Sequence, residues 1–269
     1  MPASSPPAKQ STLTLGQSVE GRELVIQANF DLYAQPVPNG ITLLLGGVHG
    51  DEPATSQLLL RFIMEHLAME SVAQPTIIWP TVNPDGTALG TRYNAHGVDI
   101  NRNCEFRWRT QADGDEPPGD APWSEPESRA LRDLVLHFRP TKIVTLHWAL
   151  AEFDADGPQS LPLLDAMWDA LRDGRAPYRR HHSIVPAADA LPGSFGGWCG
   201  FGLKYPDGTA PAIVTIELPW DPAIPRGDSL PEDHLAACHQ RWKADSSGYL
   251  AAVRPSIFQA LLAACAHQQ

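Results

Sequence analysis

The sequence predicts a single α/β domain whose central sheet is mixed, mostly parallel and twisted, with helices on both faces. Three observations lead there. Short apolar runs of strand length alternate with longer segments of helical apolar spacing, the pattern of a sheet covered on both sides. Glycine and proline turn signals close most of the runs. Three polar residues, His49, His147 and Glu217, stand at or near the ends of apolar runs. A parallel sheet gathers such ends on its carboxyl edge, where ligands bind in open α/β folds.

The elements follow in order. Residues 1–12, Pro/Ser-rich at the start, are expected to be a disordered tail, and 13–269 a single domain. Arg22–Phe30 reads as a strand and Ile41–Leu45 as a fully buried one. Pro53 suits the first turn of a helix, where its missing N–H costs nothing, and the apolar spacing continues to Leu67. Thr76–Trp79 is a strand closed by the turn signal Asn83-Pro84-Asp85-Gly86. A Gly/Pro/Asp-rich loop from Thr110 to Trp123 leads to Ser124-Glu125-Pro126-Glu127. There Ser124 and Glu127 are spaced as a capping box for a helix reaching about Phe138. Lys142–Leu146 is a buried strand delivering His147 at its end. Leu163–Arg172 is helical, Pro186–Gly208 a long ordered loop, and Ala212–Leu218 a buried strand carrying Glu217. After an irregular stretch, a helix from about Tyr249 to Ala266 closes the chain.

Composition excludes more than it identifies. A formal net charge of −11 offers no basic footprint for nucleic acid. No segment is read as crossing a membrane, and residues 1–10 lack the apolar core of a signal peptide. The four cysteines, Cys104, Cys199, Cys238 and Cys265, form no Cys-x-x-Cys pair, so a reduced, cytoplasmic setting is expected.

The chemistry concentrates in Gly46-Gly47-Val48-His49-Gly50-Asp51-Glu52-Pro53. His49 and Glu52 are two-thirds of a catalytic zinc site, which takes three protein ligands and leaves one position open. Taken alone, Asp51 and Glu52 serve equally well to complement the dipole of the helix at Pro53. His147 alone reads more readily as a buried, hydrogen-bonded histidine. Asp99-Ile100-Asn101-Arg102-Asn103 places a guanidinium beside an amide, a pairing suited to gripping a carboxylate, although Arg102 could equally form a salt bridge. Glu217 lies in an apolar strand, where a charge is costly unless paired or functional.

Together these pieces resemble the zinc metallocarboxypeptidases, and the likeness runs from Gly16–Arg22 to Pro219. It is carried by His49-Gly50-Asp51-Glu52, Asn83-Pro84-Asp85-Gly86, Asp99-Ile100-Asn101-Arg102-Asn103, Ser124-Glu125-Pro126-Glu127, His147 and Glu217. The resemblance implies a carboxypeptidase-like fold and one Zn2+ per chain, bound by His49, Glu52 and His147. It implies Glu217 as general base, Arg92 stabilising the oxyanion, Asn101 and Arg102 holding a substrate carboxylate, and Asp99 orienting His49. The substrate is then a small peptide with a free carboxylate. Within the family the chain is most similar to small bacterial murein peptide amidases, through Gly90-Thr91-Arg92-Tyr93-Asn94-Ala95, Phe153-Asp154-Ala155-Asp156-Gly157-Pro158 and Gly193-Ser194-Phe195-Gly196-Gly197-Trp198-Cys199-Gly200. That likeness implies cleavage of the γ-D-glutamyl–meso-diaminopimelate bond. The rivals are a carboxypeptidase of ordinary peptides, an N-acyl-amino-acid deacylase of the aspartoacylase or succinylglutamate desuccinylase kind, and an inactive binding protein. Trp148 after His147 and Cys104 after Asn103 depart from the family pattern. Tyr205 is a substrate-capping candidate by region only, and His234 and His239 read as surface residues.

Overall fold

A computed structural model describes residues 10–67, 71–112, 114–185, 191–223 and 233–268. The first nine residues of the expected tail, and 186–190 and 224–232 of the expected loops, lie outside the described residues. The strands are β1 (Ser11–Gln17), β2 (Glu23–Ala28), β3 (Thr42–Leu45), β4 (Thr76–Trp79), β5 (Lys142–Asp156), β6 (Arg179–Ser183) and β7 (Ala212–Pro219). All belong to one mixed sheet. β1 and β2 form an antiparallel hairpin on one edge, β2 joins β4 antiparallel, and β4, β3 and β5 run parallel. β1 begins at Ser11, inside the segment expected to be disordered, because Leu13 and Leu15 alternate with polar residues and pack on the core.

The largest departure from expectation is β5. It does not stop at Leu146 but continues to Asp156. Its first limb pairs with β7 in step, from Lys142↔Ala212 to Trp148↔Leu218. Past Ala149 the partner numbers descend while those of β5 rise, from Glu152↔Glu217 to Asp156↔Ile213, so the second limb runs back along β7. β7 therefore carries one limb of β5 on each side, and β6 extends the sheet beyond the second limb. His147, Glu217 and Glu152 share one row across three adjacent strand segments.

Helices cover both faces. On one, α1 (Pro53–Phe62), α4 (Leu161–Leu171) and α6 (His234–Ala266) bury Leu44, Ile78, Val144, Leu146, Val214 and Ile216. On the other, α3 (Pro126–Phe138) covers Leu43, Leu45, Ile77 and Ile143. Side chains alternate along a strand, so Thr145 and His147 continue the α3 face of Ile143, and Thr215 and Glu217 continue that of Ile213. The core turns polar along one face, at the carboxyl edge. α1 passes into a wider π-helical turn at Ile63–Leu67.

Several local expectations are corrected. Asn83-Pro84-Asp85-Gly86 is not a free turn but the start of α2 (Pro84–Leu89), where the Asn83 side chain accepts the Gly86 N–H. Ser124 and Glu127 do not form a capping box: Glu125 is the N-cap and makes no side-chain capping bond. The final helix begins at His234 rather than Tyr249, and non-helical backbone at Asp245 divides it. Its length and apolarity would also suit a membrane span, which the sequence reading did not anticipate. Tyr249, Val253, Ile257 and Leu261 are instead buried in the core. The expected loop at 186–208 contains α5 (Phe195–Gly197), running into a π-helical turn at Trp198–Gly202.

Asp85 ties the edge hairpin to this frame. It is fully buried and accepts from the Ser18 hydroxyl at 2.7 Å, the Glu20 N–H at 2.9 Å and Arg22 at 2.6 Å. Burial opposes its ionisation, but the Glu20 N–H, the Ser18 hydroxyl and Arg22 outweigh burial and hold its pKa below the ordinary range. Asp85→Asn is expected to cost about 2 kcal/mol, on the order of 5 °C in Tm for a chain of this size. A depressed carboxyl stabilises above its ordinary range and loses that contribution as pH falls through its folded pKa. The gap between variant and wild type in thermal melts should therefore close in acid. Equal Tm values at neutral pH would contradict this role.

Candidate active site

The glycine turn after β3 delivers His49 and Glu52, with Pro53 opening α1 directly behind them. The turn fits because two backbones touch. A Cβ on Gly50 would sit 1.9 Å from the Gly86 carbonyl carbon, and one on Gly86 would sit 2.5 Å from the Tyr93 oxygen. The His-Gly-Asp-Glu and Asn-Pro-Asp-Gly segments thus pack glycine on glycine. The Asn83 amide reaches on to the Arg92 carbonyl at 3.4 Å.

His49, Glu52 and His147 converge as the residue pattern suggested, all buried. His49 Nδ1 lies 2.7 Å from Glu52 Oε1 and 3.2 Å from His147 Nδ1, while His147 Nδ1 is 3.3 Å from Glu52 Oε2. Two nitrogens bound about 2.0–2.1 Å from a tetrahedral zinc lie about 3.3 Å apart, so the spacing and the donor set both fit that ion. Glu52 Oε2 is buried with no hydrogen-bond partner among the described residues, the condition of a ligand atom. Asp51 stands outside the cluster. His239, expected at the surface, is half-buried, reaches the Asp51 carbonyl at 2.7 Å and packs edge-on against Trp148.

Asp99 holds this centre from behind. Its Oδ1 accepts from His49 Nε2 at 3.2 Å and the Asn101 N–H at 2.8 Å, and its Oδ2 accepts from Arg92 Nε at 2.8 Å. With Nε2–H committed to Asp99, His49 turns the lone pair of Nδ1 toward the cluster. Burial raises the cost of charge throughout, yet opposite charges win in most places. Glu52 and Asp99 lift His49 to about 9, and the two histidines pull Glu52 down to about 2. Asp99 is held far below the carboxylate range by His49 and Arg92, against its burial. Burial, aided by His49, lowers His147. Until a cation takes its place among them, these charges favour a second proton on His49, at Nδ1 facing Glu52, and it is this proton that a metal ion displaces.

Glu217 sits beside His147 in the β5–β7 register. Burial, and then the charge of Glu52, raise its pKa to about 8, and its Oε2 is shielded without a hydrogen-bond partner among the described residues. Arg92 Nη1 reaches 3.4 Å from His49 Nδ1 and 4.0 Å from Glu52 Oε1. Asn101, whose Oδ1 accepts the Phe195 N–H at 2.9 Å, lines a cavity of about 390 Å³ with His147 and Glu217. Arg102 is placed differently. It borders a small adjoining cavity, and Glu116 takes its Nε and Nη2, both at 2.8 Å.

Glu116 was not singled out by the sequence reading. It also pairs with Arg92 at 3.3 Å, so one carboxylate braces both arginines. The only hint was an acid in the loop between two motifs. The Ser124–Glu127 segment is likewise a hub rather than a cap. Asn103 donates to Ser124 and accepts from the Glu125 N–H and the Ser128 hydroxyl, while Asn94 donates to Glu125 and Glu127. Tyr205 is no substrate cap: it is buried on the α3 side and donates to the Pro140 carbonyl at 2.9 Å. Trp148 does not narrow the cavity but packs on Trp242 and Tyr249, donating to the Tyr249 hydroxyl at 2.8 Å.

Two imidazoles and a carboxylate converging at the carboxyl edge of an α/β sheet, with an arginine and a shielded glutamate alongside, define a zinc hydrolase. Comparison with known proteins agrees. The zinc carboxypeptidase family profile matches residues 3–149. Murein peptide amidase A of Escherichia coli K12 is 30% identical over 215 residues, covering 74% of this chain and 82% of that protein. The Vibrio campbellii enzyme of the same name is 31% identical, covering 76% and 77%. Among solved structures, the murein-tripeptide amidase of Escherichia coli O157 superposes with a TM-score of 0.59 at 26% identity, over 99% of this chain and 95% of that one. Carboxypeptidase A of Helicoverpa armigera shares the fold, with a TM-score of 0.68 at 20% identity over 97% and 70%. The chain belongs to the zinc carboxypeptidase family and is a zinc metallopeptidase.

Asp99→Asn should weaken zinc binding 10–100-fold, the usual effect of losing a histidine's outer partner, in competition titrations against a chromogenic chelator. Unchanged affinity would mean that Asp99 does not orient His49.

Proposed function

We propose that the protein hydrolyses the amide bond between γ-D-glutamate and meso-diaminopimelate in murein peptides. The observation that carries this reading is the match to murein peptide amidases over most of their length. In this reading His49, Glu52 and His147 hold the zinc and Asp99 orients His49. The zinc supplies Lewis-acid polarisation of the scissile carbonyl and a water of lowered pKa. Glu217 takes a proton from the attacking water and returns it to the leaving nitrogen, so the base of one step is the acid of the next. Arg92, steadied by Asp99 and Glu116, donates to the carbonyl oxygen as negative charge grows there. The substrate's free carboxylate is held by the Asn101 amide and by the Arg102 N–H groups that neither Glu116 nor the Asn101 carbonyl occupies, which aligns the bond for attack. A cytoplasmic setting suits the four buried free cysteines.

The test is side-by-side turnover, with and without chelator, of L-Ala-γ-D-Glu-meso-diaminopimelate, a benzoylglycyl-amino-acid peptide and N-acetylaspartate. Release of diaminopimelate, lost on chelation and restored by zinc, is expected. Turnover of N-acetylaspartate alone would favour the deacylase reading, and of the benzoylglycyl peptide alone the ordinary carboxypeptidase. Glu217→Gln should lower kcat by at least about 10³-fold with zinc content unchanged. Near-normal activity in that variant would remove Glu217 as the base.

A further inference from the structure

One wall of the main cavity carries charges that neither the zinc ligands nor the carboxylate grip uses. Residues two apart on a strand share a face, so Glu152, Asp154 and Asp156 on the second limb of β5 form an acidic column. Their register partners on β6, Arg179, His181 and Ser183, form a second column beside it. All six line the cavity that contains His147 and Glu217. The columns are cross-linked: Arg179 pairs with Glu152, and His181 Nδ1 lies 2.9 Å from Asp154 Oδ1. The glycine-rich loop makes room for the third acid, since a Cβ on Gly196 would fall 2.2 Å from Asp156 Oδ2. Leu150 and Leu191 are the only aliphatic side chains among the described lining residues.

We propose that this two-column wall selects a leaving residue whose side chain ends in one carbon bearing both an ammonium and a carboxylate. Asp154 and Asp156 take the ammonium, and Arg179 and His181 take the carboxylate. The inference rests on the murein-peptide reading and adds which residues choose the amino acid after the scissile bond. The dimensions agree. Glu217 shares its row with Glu152 and Arg179, and the Asp154–His181 row lies about 6.8 Å further along the strands. The two stereocentres of diaminopimelate are separated by four carbon–carbon bonds, about 5 Å end to end, with the charged groups reaching beyond. An apolar side chain would strip water from these charges and offer nothing in return. A lone ammonium would draw Asp154 from His181 and supply no anion in its place, and a lone carboxylate would face Asp154 and Asp156. A zwitterionic end replaces the Asp154–His181 cross-link with a partner for each side, while Arg179, holding Glu152 through Nε and Nη2, has Nη1 to offer the substrate carboxylate.

The test uses the zinc-loaded enzyme and two acyl series, γ-D-glutamyl and α-L-alanyl. Each is joined to meso-diaminopimelate, lysine, 2-aminopimelate or leucine. In whichever series is turned over, diaminopimelate should give the highest kcat/KM, lysine and 2-aminopimelate about tenfold less, and leucine least. Arg179→Met should shrink the diaminopimelate-to-lysine ratio about tenfold, and Asp154→Asn the diaminopimelate-to-2-aminopimelate ratio similarly. Melting curves and zinc content check the folding of both variants. If Asp154→Asn fails that check, Arg179→Met decides, because Arg179 is half-exposed on an edge strand. Equal kcat/KM for all four leaving residues, or ratios unmoved by Arg179→Met, would overturn the proposal. Turnover of the alanyl series alone would reject the γ-glutamyl bond while that series still decides the wall's selectivity. Turnover of neither would overturn both.

Discussion

Three buried electron-pair donors aimed at one point cannot rest there without a positive charge between them. His49 Nδ1, His147 Nδ1 and the Glu52 carboxylate stand about 3 Å apart, all in buried side chains. A proton satisfies part of that demand, and a zinc ion all of it. The surrounding side chains are arranged around this local need for charge. Asp99 commits the far nitrogen of His49, and Arg92 is drawn in by Asp99 and Glu52. Glu217 sits close enough to Glu52 for that charge to oppose its own ionisation.

The fold's contribution is to bring distant parts of the chain to that point at low cost in strain. β3 and the first limb of β5 run parallel and adjacent, so His49 and His147, 98 residues apart, leave the sheet side by side. Folding β5 back around the end of β7 then makes one strand supply both a metal-site histidine and, on the far side of β7, the acidic residues of the cavity. The loop that holds Asp99–Asn103 is secured on α3 through Asn103 and Asn94, away from the substrate. Asn101 lines the cavity while accepting the Phe195 N–H, and Arg92 reaches the metal cluster while braced by Asp99 and Glu116.

Much of this was legible in the residues, and the failures have identifiable causes. The His49–Glu52 spacing, the buried strands at 41–45, 76–79 and 212–218, and the place of Glu217 follow from short-range pattern and from strand ends meeting on one edge. The place of Asp99 beside His49 follows only from the family resemblance. The fold-back of β5 was not legible. Its second limb, Glu152–Asp156, does alternate charged and apolar residues, but nothing local shows that it turns back along β7 and takes Arg179, His181 and Ser183 beside it. Glu116 was missed for a related reason: only tertiary contact shows that one loop carboxylate serves two arginines. The expected capping box failed because Ser124 is taken by Asn103 and Glu127 by Asn94 and the Val19 N–H, so long-range partners displaced local ones. The amino-terminal half of α6 was hidden by a polar composition that supplies few buried residues beyond Cys238.

The central claim is that His49, Glu52 and His147 hold one zinc ion through the atoms that already converge. Anomalous diffraction from crystals of the zinc-loaded protein, collected on both sides of the zinc absorption edge, tests it most directly. The account predicts a single strong peak within bonding distance of His49 Nδ1, His147 Nδ1 and the Glu52 carboxylate, with His49 Nε2 still on Asp99. A peak coordinated by other residues, or by His49 through Nε2 with Asp99 displaced, would contradict it.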